Sequence, residues 1–395
     1  MLPRWKSGLL PVLLAIMPGM VWAGATAPRP LVLTVANPLP QARDHAVLAL
    51  PLARIWQQRP AWRGKHLAAY AGNAATRLPT QPYASHGGTP DQLLVQLKLA
   101  AQATVHLRIQ PAAHAYVAKA NPLFARNVPE RYGDFAWENE LVAFRLYGTP
   151  LEAVGQVFSG IDVWSKKPGR HVINAWYAGD AHGRSYHVDH GDGLDSYAVG
   201  HTPGDGGVAA WWHGRPVYSR NATRVRITAM GPIRLRFVVD YAPWQVGPAT
   251  VRERKVVTLD AGAHFNRQSV TWHFTGVSHL PVAAGVAVHH GAEWTRDAAA
   301  SVAVWDMPQK AGAGRIATGL VLAPGQTARH VRGQKAAWLV FDVADGGRIR
   351  FASGAGWAKG DVPNFAVWRA RVATYRQRWS HPLKVTWQTP SEQRR

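Results

Sequence analysis

Short apolar runs with a period of two, cut off by Gly, Pro, Asn and Asp, constrain this chain more than any other feature. Leu31–Val35, Ala46–Leu50, Thr104–Ile109, Arg224–Thr228 and Ile233–Val238 follow the pattern. So do Lys255–Leu259, Ser269–Phe274, Ala337–Phe341 and Arg348–Phe351. Alternation rich in β-branched and aromatic residues marks half-buried strands, because successive side chains point to opposite faces of a sheet. Many such runs at regular spacing predict an all-β fold built as a large antiparallel sandwich. One helix breaks the series near the end. Phe365, Trp368, Val372, Tyr375 and Trp379 recur at steps of three and four, with Pro363 and Asn364 where a helix would begin. A strand, Pro382–Trp387, is expected after it.

The chain opens with a charged start (Arg4, Lys6), an apolar stretch broken by Pro11 and Pro18, and a small-residue cleavage site at Val21-Trp22-Ala23. This reads as a signal peptide over residues 1–23, followed by a linker over 24–30 and one compound domain over 31–390. Export to a bacterial periplasm, or secretion, is the expectation. Residues 60–88, rich in Ala, Gly and Pro, read as an insertion loop or a lobe connection.

Composition narrows the chemistry. With no cysteine, disulfides, Cys-ligated zinc and thiol nucleophiles are excluded. A net charge of +22 favours polyanions. An exported protein meets little nucleic acid, so an acidic oligosaccharide or polysaccharide is the expected partner. The 18 tryptophans fit that partner, since indole faces stack on sugar rings, although most would serve as core anchors.

The densest cluster of chemistry-bearing residues is Ser185–Asp195. It carries Tyr186, His187, Asp189, His190, Asp192 and Asp195 with two glycines. Imidazoles titrate near neutrality, so His187 and His190 are candidate proton handlers, joined by Tyr186. Asp189 and Asp192 are candidates for a divalent ion, although the spacing matches neither a zinc protease nor an EF-hand. No cofactor is required by this reading. Upstream, residues 137–147 read as one strand with Trp137, Asn139, Arg145 and Tyr147 on a ring-stacking face and Glu138 on the opposite one. Asp162, Trp164 and Lys166 share one face of a second strand, and Tyr177 adds a further ring. His289 and His290, near Glu293 and Trp294, read first as a hydrogen-bonded sheet edge and second as lining of the same cleft.

Pro129-Glu-Arg131, Phe135-Ala-Trp-Glu-Asn139, Ala143–Gly148, Gly160-Ile-Asp-Val-Trp164 and Tyr186-His187 with Asp189–Asp195 resemble the family catalogued as domain of unknown function 4861. Gly356-Trp357 and Gly360-Asp361 fit as well. The resemblance implies a galactose-mutarotase-like β-supersandwich, a scaffold shared by hydrolases, lyases and epimerases, with some relatives acting on uronic-acid oligosaccharides by elimination. Glu140-Leu141 departs from the family pattern, in which an acid and then a base follow Trp-Glu-Asn. The resulting expectation is β-elimination at a uronic acid, by a lyase or dehydratase. His187, His190 and Tyr186 would move protons, Arg131, Arg145 or Lys166 would neutralise the carboxylate, and Trp137, Glu138, Asn139, Trp164 and Tyr177 would help hold the sugar. The alternatives are a glycoside hydrolase using Glu130, Glu138, Asp189 or Asp192, a non-catalytic glycan binder, and an epimerase.

Overall fold

Long amphipathic strands dominate the computed structural model, which describes residues 29–297 and 301–388. The expected signal peptide lies outside these residues. In Ala249–Asp260 every second residue from Val251 to Leu259 is buried, as the period-two pattern requires. This strand and Phe265–Thr275 form the centre of a nine-stranded antiparallel sheet running from Ala222–Met230 at one edge to Glu293–Asp297 at the other.

One face of that sheet carries two smaller five-stranded sheets. The first, built from Phe124–Val128, Asp134–Glu138, Ala143–Leu146, Asp162–Lys166 and Gly193–Leu194, packs Phe135, Trp137 and Phe144 against Phe237 and Val257. The second includes Asp205–Trp212, His279–Ala287 and Ala336–Ala344, and packs Val282 and Leu339 against Trp272 and Phe351. The architecture is therefore the all-β antiparallel supersandwich expected. Each core cluster buries several large aromatic side chains, each worth a few kcal/mol of apolar transfer.

The opposite face of the large sheet is covered by the helix Phe365–Ser380. Its stripe of Phe365, Trp368, Val372, Tyr375 and Trp379 meets Phe265, Trp305 and Val321. The Asn364 side chain caps it, accepting from the Val367 N–H at 3.0 Å. Asn364→Ala is expected to cost about 1 kcal/mol, read as a lower urea midpoint, while Asn364→Asp should keep most of the stability.

A small sandwich precedes these sheets. Leu31–Ala36, His66–Ala71, Thr104–Ala112 and the last strand Lys384–Trp387 form one layer, and Arg43–Pro51, Thr80–Tyr83 and Gln92–Leu99 the other. Residues 60–88 are thus neither a plain insertion nor a connector, because they supply one strand to each layer. Gln81 joins the small sandwich to the large sheet by bonding the backbone of Ile233 and Arg234. Among the described residues no helix is long and apolar enough to cross a membrane.

Candidate functional site

The region 134–147 is a hairpin, not a single strand. The Asn139 carboxamide accepts from the N–H groups of Leu141 (2.8 Å) and Val142 (3.0 Å), closing the turn. The return strand pairs Ala136 with Arg145 and Glu138 with Ala143, so Arg145 shares a face with Glu138 and not with Trp137. Trp137 turns into the core, stacked on Phe144 at 5.4 Å, and its indole N–H donates to Asn266 at 2.9 Å. It has no exposed surface on which a sugar could stack. Asn139 is equally buried, its N–H₂ spent on the carbonyls of Asp260 and Ala263.

The outer face of this sheet carries Asp134, Glu138, Arg145, Asp162, Trp164 and Lys166. The segment from Arg170 to Asp195, with the helix Ile173–Ala181, lies over it. That cover, absent from the sequence reading, buries the charges. Lys166 donates to Glu138 at 2.8 Å and to the Asn139 carbonyl at 2.6 Å. Glu138 also accepts from the Val172 and Ile173 N–H groups at 3.0–3.2 Å, where the helix begins. Burial alone would raise the Glu138 carboxyl, but His171 at 3.6 Å and the hydrogen-bonded Lys166 ammonium hold it below the usual range. Trp164 and Tyr177 are buried ring partners 5.2 Å apart. The expected sugar contacts of Trp137, Glu138, Asn139, Trp164, Lys166 and Tyr177 are therefore contacts inside the protein: a strand that is covered on both faces offers no platform.

Arg145 is the hub of the second buried cluster. Its Nη2 reaches Asp162 at 2.5 Å and Asp195 at 2.9 Å, and its Nη1 donates to the Tyr186 hydroxyl at 3.2 Å. The Tyr147, Trp164 and Tyr186 rings surround the guanidinium at 5.0–5.8 Å. Burial and the charge of Asp195 push the Asp162 carboxyl up to about 7, despite Arg145. Burial raises Asp134 as well, although Arg145 and Arg131 oppose it.

Where this cluster meets solvent, three side chains emerge. His187 is 44% exposed, with Nδ1 3.1 Å from the Asp195 carbonyl and 3.7 Å from its carboxylate. A carbonyl only accepts, so Nδ1 carries the hydrogen, and in the neutral ring the lone pair is on Nε2. The Tyr186 ring backs the imidazole at 4.6 Å. Arg131, one quarter exposed, is held by Asp134 at 3.3 Å. Tyr132 follows it with a left-handed backbone (φ 51°) that pushes its ring outwards, beside the Arg131 guanidinium at 5.6 Å. Sequence reasoning passed over Tyr132; the signal was Tyr-Gly at a turn, where a bulky residue at positive φ is uncommon.

The rest of the loop is architectural. Asp189 accepts from the N–H groups of Gly191 (2.8 Å) and Gly193 (3.1 Å). Asp192 pairs with Arg170 at 3.2 Å, and the His190 ring meets the Ser185 carbonyl at 3.1 Å. Gly193 has φ 122°, and a Cβ there would lie 2.0 Å from the Ser165 carbonyl oxygen, so the position excludes side chains. Among the described residues no group of three or more His, Asp or Glu converges as a metal site; the Asp189 carboxylate is engaged within the loop and that of Asp192 with Arg170. Asp361, of the late Gly-Asp pair, lies elsewhere. It meets His264 and Arg371, each at 3.0 Å, in a cleft of about 810 Å³ between the terminal helix and the small sandwich.

A family model described as "Domain of unknown function (DUF4861)" matches residues 35–385. The chain belongs to this family. A curated relative from Formosa agariphila, "Uncharacterized protein P7", is 31% identical over 278 residues, which are 67% of this chain and 69% of the relative. Two Enterococcus faecalis structures superpose on the DUF4861 chain. One is titled an alpha-mannosidase (TM-score 0.51, 7% identity, 92% of this chain and 46% of that one). The other is titled a protein in glycosyl hydrolase family 38 (TM-score 0.50, 8% identity, 93% and 48%). The chain spans about half the length of these structures, and at such identity the likeness is one of fold.

Proposed function

We propose that this protein is an exported carbohydrate-active enzyme that performs β-elimination on uronic-acid-containing oligosaccharides, with the chemistry at the His187–Arg131 face. The observation that carries the reading is the tethering of His187 Nδ1 to the Asp195 carbonyl. It leaves Nε2 as the lone-pair nitrogen of the neutral ring, at the partly exposed edge of the cluster to which Arg131 also belongs. A uronate C5–H is only weakly acidic, and its removal builds charge on the carboxylate. A guanidinium bound to that carboxylate stabilises the transition state more than the ground state. Arg131 is the partly exposed guanidinium in this role, and the Tyr132 ring flanks it. His187 takes the C5 proton, the C–H electrons form the C4–C5 double bond, and the C4–O bond breaks. The departing oxygen takes up a proton from solvent and leaves as water or as a sugar. Arg145, Asp162, Asp195 and Tyr186 hold His187 in place from below.

Hydrolysis by paired carboxylates is less well supported. Glu138 is buried under Lys166, Glu130 is paired with Arg126, Asp189 is engaged within its loop and Asp192 is paired with Arg170. The mannosidase title of a structural neighbour speaks for sugars as a substrate class, but a fold does not set a reaction.

The test is incubation with an oligouronate panel, monitored for ultraviolet absorbance of the C4–C5 alkene. The expected result is alkene formation, with His187→Ala lowering kcat by about 10²–10⁴-fold while KM changes little. New reducing ends without an alkene would overturn elimination in favour of hydrolysis.

A further inference from the structure

We propose that the cleft formed by residues 198–202, the turn 288–292 and the hairpin residues 332–335 is a subsite for a carboxylate-bearing sugar ring. The cleft measures about 680 Å³, and its functional lining is His201, His289, His290, Trp294, Arg332 and Lys335. No described residue lining it is an Asp or Glu. Asp306, nearby, is fully buried behind His289. It is saturated by the His289 Nδ1 at 2.6 Å and by the N–H groups of His289 (3.3 Å) and Met307 (2.8 Å).

That arrangement fixes the His289 imidazole at the cleft wall. Burial works against a charged His289, but Asp306 and the Ala198 carbonyl overcome it and raise the imidazole above its ordinary value. The Tyr197 ring holds the imidazole edge-on at 5.8 Å. Arg332 lies over the Trp294 indole at 5.4 Å while its Nη1 caps the Ala336 carbonyl. The Lys335 carbonyl accepts from the Val288 N–H at 2.9 Å, which ties the hairpin to the floor. Among the described residues neither Arg332 nor Lys335 has a carboxylate partner.

An indole beside cations whose countercharge is missing suits a ring with an apolar C–H face and an anionic substituent. The cleft also borders the His187 face. Gln309, in its lining, donates its N–H to the Ser196 carbonyl at 2.8 Å, and the next residue, Lys310, donates from Nζ to the His187 carbonyl at 2.7 Å. The subsite thus accommodates a neighbouring uronate of the oligosaccharide; the substrate class rests on the function proposed above, but the binding does not require turnover.

The probe is tetragalacturonate, titrated calorimetrically into His187→Ala protein so that nothing is consumed. The Arg332→Gln/Lys335→Gln variant is expected to bind at least about tenfold more weakly with its melting temperature unchanged, and the carboxyl-reduced neutral tetramer should bind wild-type protein weakly as well. Independently of mutation, carbodiimide coupling should join a tetramer carboxylate to Lys335, as read by peptide mass spectrometry. Unchanged affinity in the double variant, equal binding of the neutral tetramer, or coupling only to lysines outside the cleft would overturn the subsite. Binding in the cleft without any alkene from the wild-type protein would uphold the subsite and sink the elimination.

Discussion

Arg145→Ala is expected to lower the free energy of unfolding by roughly 3–5 kcal/mol, because removing one partner of a buried ion cluster leaves the others uncompensated. Here two carboxylates would be stranded, since Asp162 and Asp195 both depend on the same Nη2. The loss should depend on pH, and the sign follows from linkage. The Asp162 carboxyl is raised to about 7 in the folded state. Between the unfolded carboxylate value of about 4 and that point, the folded chain binds more protons than the unfolded one. Stability from this group is therefore fully present below the unfolded value and declines as pH rises towards 7. Asp195 is raised in the same direction, by burial. Without Arg145 both groups should move further up, so the decline should steepen and extend above neutrality. Urea titrations of wild type and variant at mildly acidic and mildly alkaline pH would measure it. A variant as stable as wild type at the alkaline pH would refute the hub role. Asp162→Asn, which removes one of the two like charges, should cost less and flatten the profile. Arg145→Ala should also lose turnover where it remains folded, since Asp195 supplies the carbonyl that orients His187.

The fold was legible because sheet formation leaves a periodic trace. The alternation over Lys255–Leu259 and the helical stripe from Phe365 to Trp379 each report which face is buried, and both appear as read. The site was less legible because parity depends on where a strand turns. Reading 137–147 as one strand put Arg145 with Trp137; the Asn139 turn resets the count and puts it with Glu138 and Asp162. The second loss came from cover. Asp162, Trp164 and Lys166 do share a face, as the sequence indicates, but Ile173–Ala181 carries no strong amphipathic stripe, so nothing announced a helix lying over them. The pattern of a charged, aromatic surface is the same whether the surface meets a sugar or the protein's own backbone. His289 illustrates the converse. It looked like a sheet edge because its partner, Asp306, lies at the end of an apolar strand distant in sequence.

Lys166→Met should destabilise the protein by a similar ~3–5 kcal/mol, and its consequences should spread beyond the pair. Lys166 is fully buried, and its ammonium bonds Glu138, the Asn139 carbonyl and the Arg170 carbonyl. Losing it strands Glu138, the group that satisfies the first N–H groups of the helix Ile173–Ala181. The same strand also pairs Lys166 with Gly193 and Ser165 with Leu194, and the Lys167 N–H holds the Asp192 carbonyl at 2.9 Å. The cover helix and the loop that presents His187 therefore rest on one buried ion pair. Hydrogen exchange should accelerate in 172–181 and 186–195 of the variant while the terminal helix, on the far side of the large sheet, stays protected. Adding Glu138→Gln to Lys166→Met should recover part of the stability, because a neutral amide is cheaper to bury than an unpaired carboxylate and keeps one oxygen for the helix start. A double variant no more stable than Lys166→Met alone would mean that the lysine acts by packing its methylenes, and the loop would then owe its order to the Gly193 turn instead of to charge pairing beneath it.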